Sequence, residues 1–591
     1  VSLAVLLALW ACSPGSTSGA SGQVGGDTAA TTGDGGAPDG GAADGGGGDG
    51  GTPDGGAGDG GSHADGGGTG GGGNDGGTGD GGTADGGAPD GGTADGGALD
   101  DRTCVMVSDL ARTHFWEGED VEFSLSCTGW LPTEDALITA TSIPAGASLD
   151  PRTHHLRWPT GPADGGRVDM IFSVRPAHDD RVIPETFTQT LWVADNPLVP
   201  GATPPDWTTY TEEWELPVLD IETSGTLTET YQDVTVWWQG SSLPAHAKVR
   251  GASSVYYDKQ SYMLEFDKEE PELDAWGHSR DHLVLLTTFD DNSYVRQKLV
   301  YDQWAAIADY WGEDRLTPRT MFIVVYIDGA YHGLYVGLDR IDNEFVRHMG
   351  FDDSGNLYKS VNHDANFALT GSGGGAKSTL HDGYEKEEGE PADDFSDLDE
   401  LVYFTGSSSY AQLVADLDDH VITDEFMDWY LLVVYALAED SAGKNAYLYH
   451  DPDSGLFRYA PWDFNHSWGQ GWYTYRTDAA YINSFTGTNR IFGAFRNVES
   501  TDDALWDRFR ELRTDGPYDP AWITAQVDDY YALIDDSAAR DWAKWADAYY
   551  SYGGWAGYRD AVDDWTDYEG EKAYLYEWLD DRATLFEALV P

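Results

Sequence analysis

The stretch Glu439-Asp440-Ser441-Ala442-Gly443-Lys444-Asn445, running on through Ala446-Tyr447-Leu448-Tyr449-His450-Asp451 and Leu456-Phe457-Arg458-Tyr459-Ala460 to Pro461-Trp462-Asp463-Phe464-Asn465, decides how this chain is read. The apolar segment Trp429 to Ala438 predicts a helix that stops at Glu439-Asp440. The two runs after Asn445 predict strands, and Pro452 to Gly455 predicts the turn between them. An acid thus follows a helix, a carboxamide stands five residues on, and a second acid lies at the far end of a hairpin. Two carboxylates and a neutral amide oxygen suit a hard divalent cation, and a carboxylate can also orient a hydroxyl and take its proton. Spacing alone leaves a second reading open, in which Asp440 caps the helix and Asp463 is a surface acid. In a chain this rich in Asp, such triplets also arise by chance.

Around this core the chain divides by composition. Its 591 residues exceed what one hydrophobic core holds, so at least two domains are expected. The formal net charge of -69 repels nucleic-acid phosphates and sets DNA and RNA aside as partners, while favouring cations or basic proteins. Residues 1–12, VSLAVLLALWAC, resemble a bacterial lipoprotein signal, with Cys12 as the lipidated residue. An ordinary secretory signal is the alternative, and both readings export the protein. Residues 13–100 repeat DGG with Thr, Ala or Pro and carry almost no apolar side chains, so a disordered tether is expected. Calcium-binding repeats would need apolar residues at fixed positions, which are missing here. Residues 101–198 alternate apolar and polar residues in runs such as VEFSLSC and RVDMIFSVRP, which predicts a small β-sandwich with Trp158 in its core. Cys104 and Cys127 suit one disulfide in an exported domain, with two free thiols as the other option. Pro197 to Gly201 reads as a linker. Further strands are predicted at 246–251, 261–267, 283–288, 322–328, 333–339 and 446–449. Helices are predicted at 293–309, 342–349, 410–417, 424–439 and through much of 519–590. The acidic residues 381–400 are expected to form a surface loop.

The N-terminal module, through Ile143 to Asp150, Leu156-Arg157-Trp158 and Arg167 to Val174, resembles bacterial immunoglobulin- or cadherin-like domains, read here as a spacer. The acid–amide–acid order resembles the catalytic-loop Asp, the following Asn and the later metal-binding Asp of protein kinases. Other blocks extend that likeness. Val249 to Ser254 is followed by Asp258-Lys259-Gln260-Ser261-Tyr262-Met263-Leu264-Glu265-Phe266. Next come Asp290-Asp291-Asn292-Ser293 with Val295-Arg296-Gln297-Lys298-Leu299, and then Val325 to Gly329, Tyr331 and Gly333 to Val336. In this order, over roughly residues 246–470, they resemble the CotH kinases, the atypical protein kinases of the spore-coat CotH family.

That resemblance implies an α+β fold, a two-lobed, atypical kinase-like domain over 205–591. It implies transfer of the ATP γ-phosphate to Ser or Thr of a secreted or surface protein, with Mg²⁺ or Mn²⁺. Asp440 corresponds to the catalytic acid, Asp463 and Asn445 to the metal ligands, and Lys259 to the phosphate-binding lysine. Arg250 and Arg296 are candidates for phosphate or carboxylate pairing, with structural salt bridges as the alternative. Asp339 stands where the family often has Glu as the lysine's partner, and its shorter side chain puts that ion pair in question. Asn465 replaces a second Asp of many relatives. RGASS after the strand is not a G-x-G-x-x-G loop, and His466 and Trp468 read as packing. Two further functions remain open: a pseudokinase or structural surface scaffold, and a carbohydrate or adhesion protein using its many aromatics.

Overall fold

In a computed structural model the described residues are 104–129, 136–177, 184–196, 204–267, 272–273, 278–554 and 567–590. The signal-like residues 1–12 with Cys12, the tether 13–100 and the linker at 197–201 lie outside them. The architecture is mixed α+β.

The first strands build two four-stranded sheets. One is ordered Cys104–Ser108, Asp120–Gly129, His155–Pro159, Ser148–Leu149; the other His114–Trp116, Glu185–Ala194, Gly166–Pro176, Ala136–Ser142. Alternate side chains of both, among them Phe123, Leu156, Trp158, Met170, Phe172 and Leu191, meet in one core, as the two-residue period of strands requires. Cys104 and Cys127 form a disulfide between the first two strands of the first sheet.

Next comes an eight-stranded sheet. Its order is Gln232–Trp238, Ser241–Arg250, Ser261–Phe266, His282–Leu286, Ala330–Leu338, Thr320–Ile327, Leu216–Thr223 and Glu212–Glu213. Gln232–Trp238 also pairs with Leu216–Thr223, so the order closes on itself. Both faces are covered. Val236, Ala247, Leu264, Leu285 and Val325 gather in one cluster, while Val218, Val284, Leu286, Val324 and Val336 join a larger one with the helices. Burial on both faces explains why Leu283 to Leu286 and Phe322 to Tyr326 are unbroken apolar runs.

The helices are α1 (Arg296–Trp311), α2 (Asn343–His348), α3 (Ser396–Ser407), α4 (Tyr410–Asp416), α5 (Thr423–Ala436), α6 (Arg490–Asn497), α7 (Glu499–Arg513), α8 (Pro520–Ser551) and α9 (Tyr568–Leu589). Local signals set several ends. Ser409 and Gln412 make a reciprocal capping box on α4, and Pro520 follows the Asp519 cap of α8. From Glu425 to Ala436, α5 is buried all round, as its apolar composition requires. A further four-stranded sheet, ordered Tyr384–Glu388, Asn356–Ser360, Ala446–Asp451, Leu456–Pro461, carries the predicted hairpin.

The surface loop expected over 381–400 is not observed. Tyr384–Glu388 is a strand paired with Asn356–Ser360, and α3 begins at Ser396. Tyr384 is buried, Glu387 is exposed and Glu385, Lys386 and Glu388 are half-buried, and charged side chains on an edge strand hide it from pattern reading.

Candidate active site

The hairpin brings the acid, the amide and the second acid together. α5 stops at Leu437, which takes a left-handed conformation with φ 52°. Asn445, immediately before the first strand, has φ 56°, and Asp463, two residues after the second, has φ 55°. Asn and Asp enter that region more readily than other non-glycine residues, and such backbone strain gathers at functional sites. Asn445 Nδ2 donates to the Asp463 carbonyl at 3.1 Å and lies 3.4 Å from Asp440 Oδ2. The Asp463 backbone N–H donates to Tyr301 Oη at 3.1 Å, and its carboxylate is exposed.

Asp440 is held by two cationic or polar neighbours. Lys444 Nζ is 2.8 Å from Oδ2, and His363 Nε2 is 3.2 Å from Oδ1. Burial alone would raise its pKa. The His363 hydrogen bond and the Lys444 ammonium outweigh that and hold the carboxyl well below the usual carboxylate range. A cavity of about 380 Å³ opens here, lined by His363, Glu439, Asp440, Lys444, His466 and Trp472. His466 is buried, and burial lowers its pKa; its Nδ1 has no hydrogen-bond partner among the described residues.

Asp290 joins the group. It is buried, and its Oδ2 accepts from Asn465 Nδ2 at 2.6 Å and from Tyr257 Oη at 3.3 Å. Burial first, then the charge of Asp463, pushes its pKa up to about 7. Asn465 is spent on Asp290. Nothing in the sequence block Asp290-Asp291-Asn292-Ser293 marks Asp290 as a member of this group. Lys444, four residues after Asp440 and beside Asn445, was the readable signal for a cation next to the acid.

The basic candidates separate sharply. Lys259 is wholly buried, and its ammonium donates to Asp541 Oδ1 (2.7 Å), Thr288 Oγ1 (2.7 Å) and the Leu334 carbonyl (2.6 Å). All three of its hydrogens are committed. Burial lowers its pKa, with Asp541 opposing. The Asp339 pairing considered for this lysine is replaced by Asp541 of α8. Asp339 instead accepts from Arg280 Nε at 2.7 Å and from the Arg319 backbone N–H at 2.9 Å. Arg296, also fully buried, pairs with Asp291 at 2.6 Å and Glu571 at 2.5 Å and donates to the Trp468 carbonyl at 3.2 Å. Its fork therefore ties α1 to α9 and to the segment after the hairpin. Arg250 differs. Its guanidinium carbon stands 5.3 Å from the Trp462 ring centroid, it is half-buried, and no carboxylate pairs with it among the described residues.

A family model described as CotH kinase protein matches residues 247–586, more than half of the chain. The inner spore coat protein H of Bacillus subtilis (strain 168) is 27% identical over 257 residues, covering 42% of this chain and 67% of that protein. Among solved structures, an endo-fucoidan hydrolase of glycoside hydrolase family 107 overlaps 26% of this chain and 25% of its own, at 13% identity and a TM-score of 0.11. That overlap is too slight to bear on the fold. The match over 247–586 coincides with the segment that carries Asp440, Asn445 and Asp463, and the chain belongs to the CotH kinase family.

Proposed function

We propose that residues 205–591 form a two-lobed atypical kinase that transfers the ATP γ-phosphate to Ser or Thr of an exported protein. The sheets of residues 101–198 form a sandwich module that spaces the kinase from its anchor. The name of the Bacillus subtilis relative points to a coat or envelope setting. Export with a lipid anchor at Cys12, or as a secreted protein, fits the N-terminal sequence.

One observation carries the reading. The Asn445 carboxamide bridges the Asp440 carboxylate and the backbone of Asp463, so one hairpin gathers the three groups. Asp463, Asn445 and Asp290 offer hard oxygen donors that fit Mg²⁺ or Mn²⁺ better than a soft metal. Such an ion, when bound, neutralises triphosphate charge. The remaining work belongs to the chain. Asp440, kept ionised by Lys444 and His363, orients the acceptor hydroxyl and receives its proton on a carboxylate oxygen. Arg250, the candidate cation with no carboxylate partner among the described residues, meets phosphate charge, to which a guanidinium fork is suited. The low pKa of Asp440 makes it a weak base, which is adequate where the transition state is loose and the hydroxyl loses its proton late.

The test is thermal-shift titration of the full chain with ATP, with and without Mg²⁺ or Mn²⁺, followed by radiolabel transfer. A ligand at 100 times its Kd raises native stability by about 2.7 kcal/mol. Transfer lost in Asp463→Ala with the fold intact supports the reading, and equal transfer sinks it. A non-catalytic scaffold is the second reading, favoured by the commitment of Lys259 and Arg296 to internal pairs. Metal-dependent transfer by the wild type would end it.

A further inference from the structure

Of the polar side chains lining the Asp440 cavity, His466 is the most buried, at 9% exposed, and its Nδ1 has no hydrogen-bond partner among the described residues. It also lines a second, smaller cavity with Ser253, Tyr257, Trp472, Thr474 and Tyr552. His466 and Trp472 therefore form a wall common to both cavities. Their rings meet edge-on, with centroids 5.3 Å apart. The backbone that carries His466 is fixed on both sides. Asn465 Nδ2 donates to Asp290 at 2.6 Å, Ser467 Oγ to the Phe464 carbonyl at 2.6 Å, and the Trp468 N–H to the Ala436 carbonyl of α5 at 2.8 Å.

A buried ring nitrogen without a partner weakens a fold unless a ligand supplies the missing bond. Burial lowers the pKa of His466, so the ring is neutral near pH 7 and carries one N–H. Among charges, Asp440 and Asp463 act on it most, ahead of Lys444 and Asp291. The ring thus lies within electrostatic reach of both the acid that meets the acceptor hydroxyl and the acid that meets the metal. A phosphoryl group passing from a metal-bound triphosphate to that hydroxyl moves between those two acids. Lys444 is paired with Asp440 at 2.8 Å, and Lys259 and Arg296 are spent on internal carboxylates, so the imidazole supplies an uncommitted donor at that point. A neutral N–H also leaves the charges of Asp440 and Asp463 intact.

We infer that His466 donates a hydrogen bond to the phosphoryl group under transfer and is a catalytic residue of the site. A donor held in place before the reaction stabilises charge that builds in the transition state without reorganising. The inference deepens the kinase reading and rests on it.

Two variants of the full chain test it. His466→Phe keeps a ring against Trp472 and removes the donor, whereas His466→Gln keeps an N–H on a different shape. Calorimetry with the ATP analogue AMP-PNP and with ADP, each with Mg²⁺, is paired with label transfer from ATP to a library of Ser and Thr peptides. His466→Phe should bind AMP-PNP about tenfold more weakly, the effect of one hydrogen bond to a charged group. Its ADP affinity and melting temperature should be unchanged. Its transfer should fall about 10²-fold, as when one preorganised donor is lost, and His466→Gln should recover most of both effects. Packing alone predicts the reverse, with His466→Phe equal to wild type and His466→Gln impaired, and that result overturns the inference. A preference for AMP-PNP over ADP that depends on His466, without transfer by the wild type, keeps the contact and removes the kinase reading. A wild type that binds neither nucleotide removes both.

Discussion

Asp290→Asn tests the acid cluster most directly. The Asp290 carboxyl is buried, and burial with the charge of Asp463 moves its pKa from the ordinary 3.8 to about 7. Below about pH 4 it is protonated in both native and unfolded chains and contributes nothing to their difference. Between about pH 4 and 7 the native chain keeps a proton that the unfolded chain has lost, so native stability falls as pH rises. Above about pH 7 both states are ionised and the penalty stays constant. At about 1.4 kcal/mol per pH unit, the gap amounts to about 4 kcal/mol. Asp290→Asn keeps an oxygen acceptor for Asn465 and Tyr257 and removes the titration. The stability of the variant relative to wild type should therefore climb by about 4 kcal/mol between pH 4 and 7 and then level off. Urea unfolding followed by tryptophan fluorescence measures it. Glu344 and Glu425, also raised in pKa mainly by burial, are common to both proteins and cancel in the difference. Adding Mg²⁺ or Mn²⁺ at pH 8 should narrow the gap by favouring the ionised wild-type carboxylate. Parallel stability profiles for the two proteins would refute the placement of a buried, Asp463-coupled acid at this position.

The other expectations divide the site by role and the frame by energy. Asp463→Asn should lose most metal-dependent nucleotide affinity by calorimetry, whereas Asp440→Asn should retain it and lose about 10²–10⁴-fold in transfer by mass spectrometry; identical profiles would show the roles to be misassigned. Arg296→Met removes the guanidinium paired with buried Asp291 and Glu571, while Arg476 stays 3.4 Å from Glu571, and should destabilise the fold by about 3–5 kcal/mol in chemical unfolding. Reduction of Cys104–Cys127, which closes a loop of sequence separation 23, should weaken the N-terminal module by about 3 kcal/mol, read by limited proteolysis of oxidised and reduced protein. Cleavage at the same rate in both would show that the bridge does not stabilise that module.

The legible part of the chain was local. Apolar periodicity located the strands around Ala247, Leu264, Leu285, Val325 and Val336 and the helices α1, α5, α8 and α9, because a side chain's spacing reports which face is buried. The order Asp440, Asn445, Asp463 was readable because one short hairpin brings those residues together. The acidic edge strand at Tyr384–Glu388 was not, since its composition imitates a loop.

By itself the sequence determined that an acid, an amide and an acid flank a predicted hairpin, that the chain is strongly acidic, and that Lys259 and Arg296 are the kind of residue able to bind phosphate. Only the tertiary structure decided what those cations do. Asp541 reaches Lys259 from 282 residues away, and Glu571 reaches Arg296 from 275. Asp339 turns to Arg280, and Asn465 to Asp290, across 59 and 175 residues. Periodicity can say that a charged side chain is buried, but not which distant carboxylate neutralises it. A buried charge must find a partner, and the packing of α8 onto the sheet and of α9 against α8 selects the partners of Lys259 and Arg296.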